Sequence, residues 1–223
     1  MDSQSRIWHL LLIYLGLMLL VVVPACGRPT PSSLPMTLPT TYLFADDFSP
    51  PSSAWARFDT EEGAVYALAG EMYLEDRGKG TAVYSPLVGH DYKDVEATVD
   101  VRYVQGTLDN WMGLLCRQVD EETYYLFAIS TDGYAVILRA QAGTVTQLFG
   151  PTFQQAIRTG KAENALRIRC QDTQLKLWAN DELVAEATDS ALTEPGQVAL
   201  FADAVPRGEL AVVAFDNFIL TEP

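Results

Sequence analysis

Val95-Glu96-Ala97-Thr98-Val99-Asp100-Val101-Arg102-Tyr103 is the stretch that decides the fold. Apolar Val95, Ala97, Val99, Val101 and Tyr103 alternate with polar Glu96, Thr98, Asp100 and Arg102. Period two over nine residues describes a strand with one dry and one wet face, because successive side chains of a strand point to opposite sides. The same alternation recurs at Leu166, Ile168 and Cys170 against Arg167 and Arg169, and at Leu175 and Leu177 against Lys176 and Trp178. Further β-rich runs cover Ala64–Leu68, Met72–Leu74, Thr81–Ser85, Trp111–Arg117, Tyr124–Ser130, Tyr134–Arg139, Val145–Phe149, Leu183–Ala187, Gln197–Ala202 and Leu210–Leu220. Turn residues separate them, and Asp132-Gly133 and Asn180-Asp181 read as hairpins. Phe153–Ile157 reads as a short helix or a loop. Many short strands at such spacing predict an all-β, antiparallel two-sheet sandwich over residues 42–223.

Charge and composition narrow the function. Lys+Arg number 15 and Asp+Glu 29, a net −14. Nucleic acid is therefore an unsuitable partner, since affinity there comes largely from cations that neutralise phosphates. The two histidines and three cysteines exclude a multi-histidine or all-thiolate zinc site. A retaining glycosidase needs two carboxylates about 5 Å apart. Glu96 and Asp100 share a strand face, but four residues of strand separate them by about 13 Å, so they read as part of a solvated face.

The chain divides into three segments. Residues 1–26 carry Arg6 and then an almost wholly apolar run from Ile7 to Val23, which reads as an export signal. Val23-Pro24-Ala25-Cys26 resembles the lipobox of bacterial lipoproteins. That resemblance implies cleavage before Cys26, two or three acyl chains on it, and an extracytoplasmic protein held at the membrane by lipid; the alternative is an uncleaved anchor helix with an incidental cysteine. Two or more chains are what stable anchoring requires. Residues 27–41 contain Pro29, Pro31, Pro35 and Pro39 among serines and threonines, an extended linker.

The globular segment resembles the concanavalin A-like, laminin-G-like jelly rolls. The resemblance lies in Phe44-Ala45-Asp46-Asp47-Phe48 with Trp55, Gly113-Leu114-Leu115-Cys116-Arg117, and Tyr124-Tyr125-Leu126-Phe127. It continues through Asp132-Gly133-Tyr134, Asn164–Ile168 and Leu177–Asp181 to the closing Phe215-Asp216-Asn217-Phe218. It is similar to bacterial envelope modules of the family that includes 3-keto-disaccharide hydrolases. What this implies is a carbohydrate or other cell-envelope ligand on one sheet face, with no catalytic residue of that family matched here. A glycoside-processing hydrolase and a protein-docking module are the two rival expectations.

Parity nominates the site residues. Trp111 and Arg117 fall on one face of their strand, and Tyr124 is opposite in parity to Tyr125 and Phe127. Arg167, Arg169, Lys176 and Trp178 point away from the apolar face of their hairpin, either as a ligand face or as a solvated one whose long stems cover the indole. Cys116 and Cys170 are expected to form a disulfide in an exported protein, the alternative being two buried free thiols. Asp47 and Asp216 are candidate Ca2+ ligands, the alternative being turn hydrogen bonds.

Overall fold

The computed structural model describes residues 41–51, 54–80 and 82–223. The signal segment, Cys26 and the linker up to residue 40 lie outside the described residues. Fifteen strands form the described chain. They are Tyr42–Asp46 (β1), Phe58–Asp59 (β2), Gly63–Leu68 (β3), Glu71–Asp76 (β4), Val83–Pro86 (β5), Val95–Gln105 (β6), Trp111–Asp120 (β7) and Thr123–Ser130 (β8). There follow Tyr134–Gln141 (β9), Thr144–Phe153 (β10), Glu163–Gln171 (β11), Gln174–Ala179 (β12), Glu182–Thr188 (β13), Gln197–Asp203 (β14) and Ala211–Thr221 (β15).

Two antiparallel sheets stack as a sandwich. The nine-stranded sheet runs β13-β12-β11-β6-β15-β4-β3-β2, with β1 also on β15. The six-stranded sheet runs β10-β9-β8-β7-β14-β5. β4 pairs with the first half of β15, at Ala211–Phe215, and β1 with its last residues, Phe218–Thr221. The first and last strands thus close the domain on each other.

The alternation on β6 is kept residue by residue, buried at Val95, Ala97, Val99, Val101 and Tyr103 and half-buried between them. Its dry face meets Leu166, Ile168, Leu175 and Leu177 of its own sheet and Met112, Leu114, Phe127, Ile129 and Leu200 of the other in one continuous core. The opening motif is part of this packing. Phe48 and Phe218 place their rings 5.7 and 4.8 Å from that of Trp55, and Trp55 Nε1 donates to Asp46 Oδ2 at 3.1 Å. A buried indole N–H needs such an acceptor.

Both expected hairpins form. Asn180 and Asp181 take φ of 53° and 69°, the left-handed pair that a type I′ turn demands. Residues 154–157 form a loop, Ile157 N donating to Gln154 O at 3.1 Å. Cys116 on β7 is bonded to Cys170 on β11, so one disulfide joins the two sheets through the core.

Candidate functional site

The two outward faces differ in chemistry. On the nine-stranded sheet, polar side chains satisfy one another. Arg102 makes a two-pronged contact with Glu71, at 2.9 and 2.6 Å, and reaches Tyr73 Oη at 3.0 Å. Arg169 binds Glu96 Oε2 through Nε at 2.8 Å, and Arg167 lies 3.7 Å from Oε1 of the same residue. Both guanidinium groups also stand over Trp178, at 4.0 Å from the ring centre for Arg167 and 5.7 Å for Arg169. Lys176 pairs with Glu186 at 2.9 Å. Asn217 Nδ2 donates to Asp100 Oδ2 at 2.9 Å. Arg167, Arg169, Lys176 and Trp178 are therefore brought together as a mutually paired cluster with the indole under two cations.

The outward face of the six-stranded sheet is apolar. Leu115, Leu126, Ala128, Val136, Ala199 and Phe201 form a second cluster there, with Tyr84, Trp111, Tyr124 and Leu138 packed around it. Gly113 and Ala128 bring little or no side chain to the middle of this face. Gly113 lies opposite Ala128 on one side and Phe201 on the other. A Cβ on Gly113 would fall 2.0 Å from the Phe127 carbonyl oxygen, so only glycine fits. A groove of about 390 Å3 opens on this face, lined by Trp111, Leu126, Val136, Leu138, Val145, Gln147, Pro151, Phe201 and Asp203.

Asp203 is the charged member of that lining. It sits directly across the β14–β7 ladder from Trp111, and cross-strand partners stand close enough for their side chains to touch. Its side chain is 19% exposed. Arg207 Nη1 approaches Oδ1 at 2.8 Å and also lies 3.5 Å from the buried Asp76 Oδ2. Oδ1 is itself buried, so this ion pair is made away from bulk water. Burial pushes the Asp203 carboxyl up to about 6, with Asp76 adding to the rise and Arg207 opposing it. Tyr124 shares this field: burial, and then the Asp203 charge, raise its phenol. Tyr84, beside it, is pushed up to about 12, by burial first and by Glu121 second.

Arg117 corrects the parity reading. It is 1% exposed and does not share the outward face with Trp111. β7 leaves its regular register with β8 after Cys116, and Arg117 takes a left-handed φ of 48°. A bulge of this kind re-aims a side chain. The guanidinium donates to the carbonyls of Lys93 (2.8 Å), Leu192 (2.7 Å) and Asp172 (2.9 Å) and to Asp94 Oδ1 (3.0 Å). It is an internal tie between four chain segments.

Asp47 and Asp216 lie near the β1–β15 closure. Asp47 Oδ1 accepts from Ser49 N at 3.0 Å, and Asp216 Oδ1 from Asn217 N at 2.7 Å. Asp47 thus caps a turn, and Asp216 holds the amide of its neighbour at an irregularity within β15. Among the described residues no three acidic, histidine or cysteine side chains converge as a metal site.

Of the residues that parity nominates, Trp111 lines this groove and Tyr124 packs beside it, while Asp203, Phe201 and Gln147 line it without being nominated. The signal was the run Val198–Ala202, apolar at every position. An unbroken apolar run means a strand covered on both faces, and Asp203 continues the parity of Ala199 and Phe201.

A two-sheet antiparallel sandwich of this topology is a concanavalin A-like jelly roll. Solved structures share the architecture. A carbohydrate binding module, CBM66 from Bacillus subtilis, superposes with a TM-score of 0.53 at 18% identity, over 76% of this chain and 96% of that one. A Bacillus licheniformis beta-glucanase gives 0.57 at 12% identity, over 81% and 97%. The laminarinase catalytic domain from Thermotoga maritima gives 0.59 at 9%, over 82% and 98%. No protein-family profile matches the chain. No curated protein matches it in sequence.

Proposed function

We propose that this protein is a non-catalytic carbohydrate-binding module whose ligand lies in the groove on the six-stranded sheet. The observation that carries the reading is the juxtaposition of Trp111 and Asp203 across one ladder, at the rim of an apolar groove the size of a sugar or two. A sugar ring offers an apolar C–H face to an aromatic side chain and hydroxyls to a hydrogen-bond acceptor. Pockets with few polar groups on apolar walls are the usual form of small-ligand sites. The solved structures of like fold include a carbohydrate binding module and glucanases, which supports a sugar ligand.

Binding is preferred to hydrolysis on the strength of the carboxylates. Among the described residues, the outward strand positions beside this groove carry one acid, Asp203. Glycosidases of the common two-carboxylate kind need a second one facing it. The lipobox-like Cys26 completes the reading: acyl chains there would hold the module outside the cytoplasmic membrane, on the proline-rich linker.

The test is binding of the full chain, solubilised in detergent, to a broad glycan array. Wild-type binding that is lost in Trp111→Ala and kept in Trp178→Ala is the expected result. Binding lost with Trp178→Ala alone would move the site to the nine-stranded sheet. Repeating the array with and without Ca2+ tests whether Asp47 and Asp216 hold that ion.

A further inference from the structure

The lining of the groove decides which sugars it accepts, a selectivity that rests on the groove taking carbohydrate at all. Asp203 is the charged side chain lining the groove, and Gln147 supplies an amide among otherwise apolar walls. Arg207, the cation nearest Asp203, is not part of that lining and is shared with Asp76. The arginines and lysine of the nine-stranded sheet are engaged by Glu71, Glu96 and Glu186. The chain as a whole carries net −14. A carboxylate is an acceptor without donors, and sugar hydroxyls are donors to it in charge-assisted bonds. An anionic substituent brought beside the same carboxylate meets a like charge in a poorly solvated place, which is discrimination by repulsion.

We propose that the groove selects uncharged sugar units over uronic or sulfated ones, Asp203 accepting ring hydroxyls while Trp111 stacks on the ring face. Arg207 is the positioning residue that holds the Asp203 carboxylate. The groups facing Asp203 are Arg207 from the loop after β14, Asp76 from β4 and Tyr124 from β8.

The experiment uses the full chain in detergent. The probes are hexasaccharides of β-1,3-linked glucose, β-1,4-linked glucose, xylose and mannose, each arrayed beside its sulfated derivative. Expected is binding to at least one neutral probe and a loss of about tenfold or more on sulfation. Asp203→Asn should weaken the neutral probe and narrow the gap to within about threefold. The wild-type preference should fade as the pH falls through about 6, where Asp203 takes up a proton. Arg207→Gln should move that midpoint to higher pH, and Arg207→Lys should restore it; a merely structural role would leave the midpoint in place. Wild-type binding of the sulfated probe equal to or tighter than that of the neutral one overturns this inference and leaves the carbohydrate reading standing. A blank array overturns both.

Discussion

Asp203 is a costly residue, and replacing it with asparagine should stabilise the fold. Its carboxyl moves from an ordinary 3.8 to about 6 in the folded protein. A difference of about two pH units, at about 1.4 kcal/mol each, is on the order of 3 kcal/mol against the ionised form at neutral pH. The cause is burial, which the ion pair to half-exposed Arg207 does not offset. The sign follows from proton binding. Between about pH 4 and 6 the folded chain holds a proton that the unfolded chain has released, so this group's contribution to stability falls as pH rises through that window and is constant above it. Asp203→Asn removes the ionised form and should gain roughly 1–3 kcal/mol at pH 7.5, the lower bound allowing for an amide that pairs less well. In a domain of this size that is a rise in Tm of roughly 3–8 °C. Calorimetry on wild type and variant, at pH 7.5 and again at pH 4, measures it. The gain should be present at the higher pH and nearly gone at the lower. A variant less stable than wild type at pH 7.5, or a gain equal at both, would refute the reasoning.

Arg117→Ala leaves three carbonyls and Asp94 without their buried donor and should cost about 3–5 kcal/mol, read as a lower urea midpoint; a loss under about 1 kcal/mol would make the tie ornamental. The disulfide closes a span of 54 residues, for which chain entropy gives about 4 kcal/mol. Cys116→Ala with Cys170→Ala should lose roughly 2–4 kcal/mol by the same measurement, and denatured, unreduced wild type should show no titratable thiol at either position. Gly113→Ala forces a Cβ against a backbone carbonyl and should lower both Tm and glycan binding, since it disturbs the β7–β8 ladder that positions Trp111. Lys176→Ala removes a partly exposed pair and should change stability by less than about 1 kcal/mol.

The fold was legible wherever one face of a strand is wet. β6, β11 and β12 announce themselves by alternation because the nine-stranded sheet turns charges to solvent. The hairpins are legible because Asn180-Asp181 and Asp132-Gly133 supply residues that tolerate left-handed backbone. β2 is two residues long and has no period to read. β10 runs on to Phe153 beyond the expected Phe149, through Gly150-Pro151, because an edge strand can carry a residue that cannot donate. The site was half legible. Trp111 and Tyr124 obey parity. Arg117 breaks it at a bulge, which no alternation encodes. Asp203 ends a run that is apolar on both faces, so periodicity is silent about which side is the core.

That silence marks the difference between the two sheets. On the nine-stranded sheet Glu71, Glu96 and Glu186 meet arginines and a lysine, and Trp178 lies beneath two guanidinium groups. Little of that face is left to offer a ligand without first breaking a pair. On the six-stranded sheet the opposite holds. Six buried apolar residues, among them Leu115, Phe201 and Ala128, are packed against half-buried Trp111, Tyr84, Tyr124 and Leu138. A carboxylate stands beside them whose ionisation the surrounding structure opposes. Residues that lower stability persist where function needs them. Half-buried Trp111 leaves ring area that gains from being covered, and a carboxylate gains from a hydroxyl donor. A sugar ring supplies both at once, with its C–H face on Trp111 and its hydroxyls at Asp203.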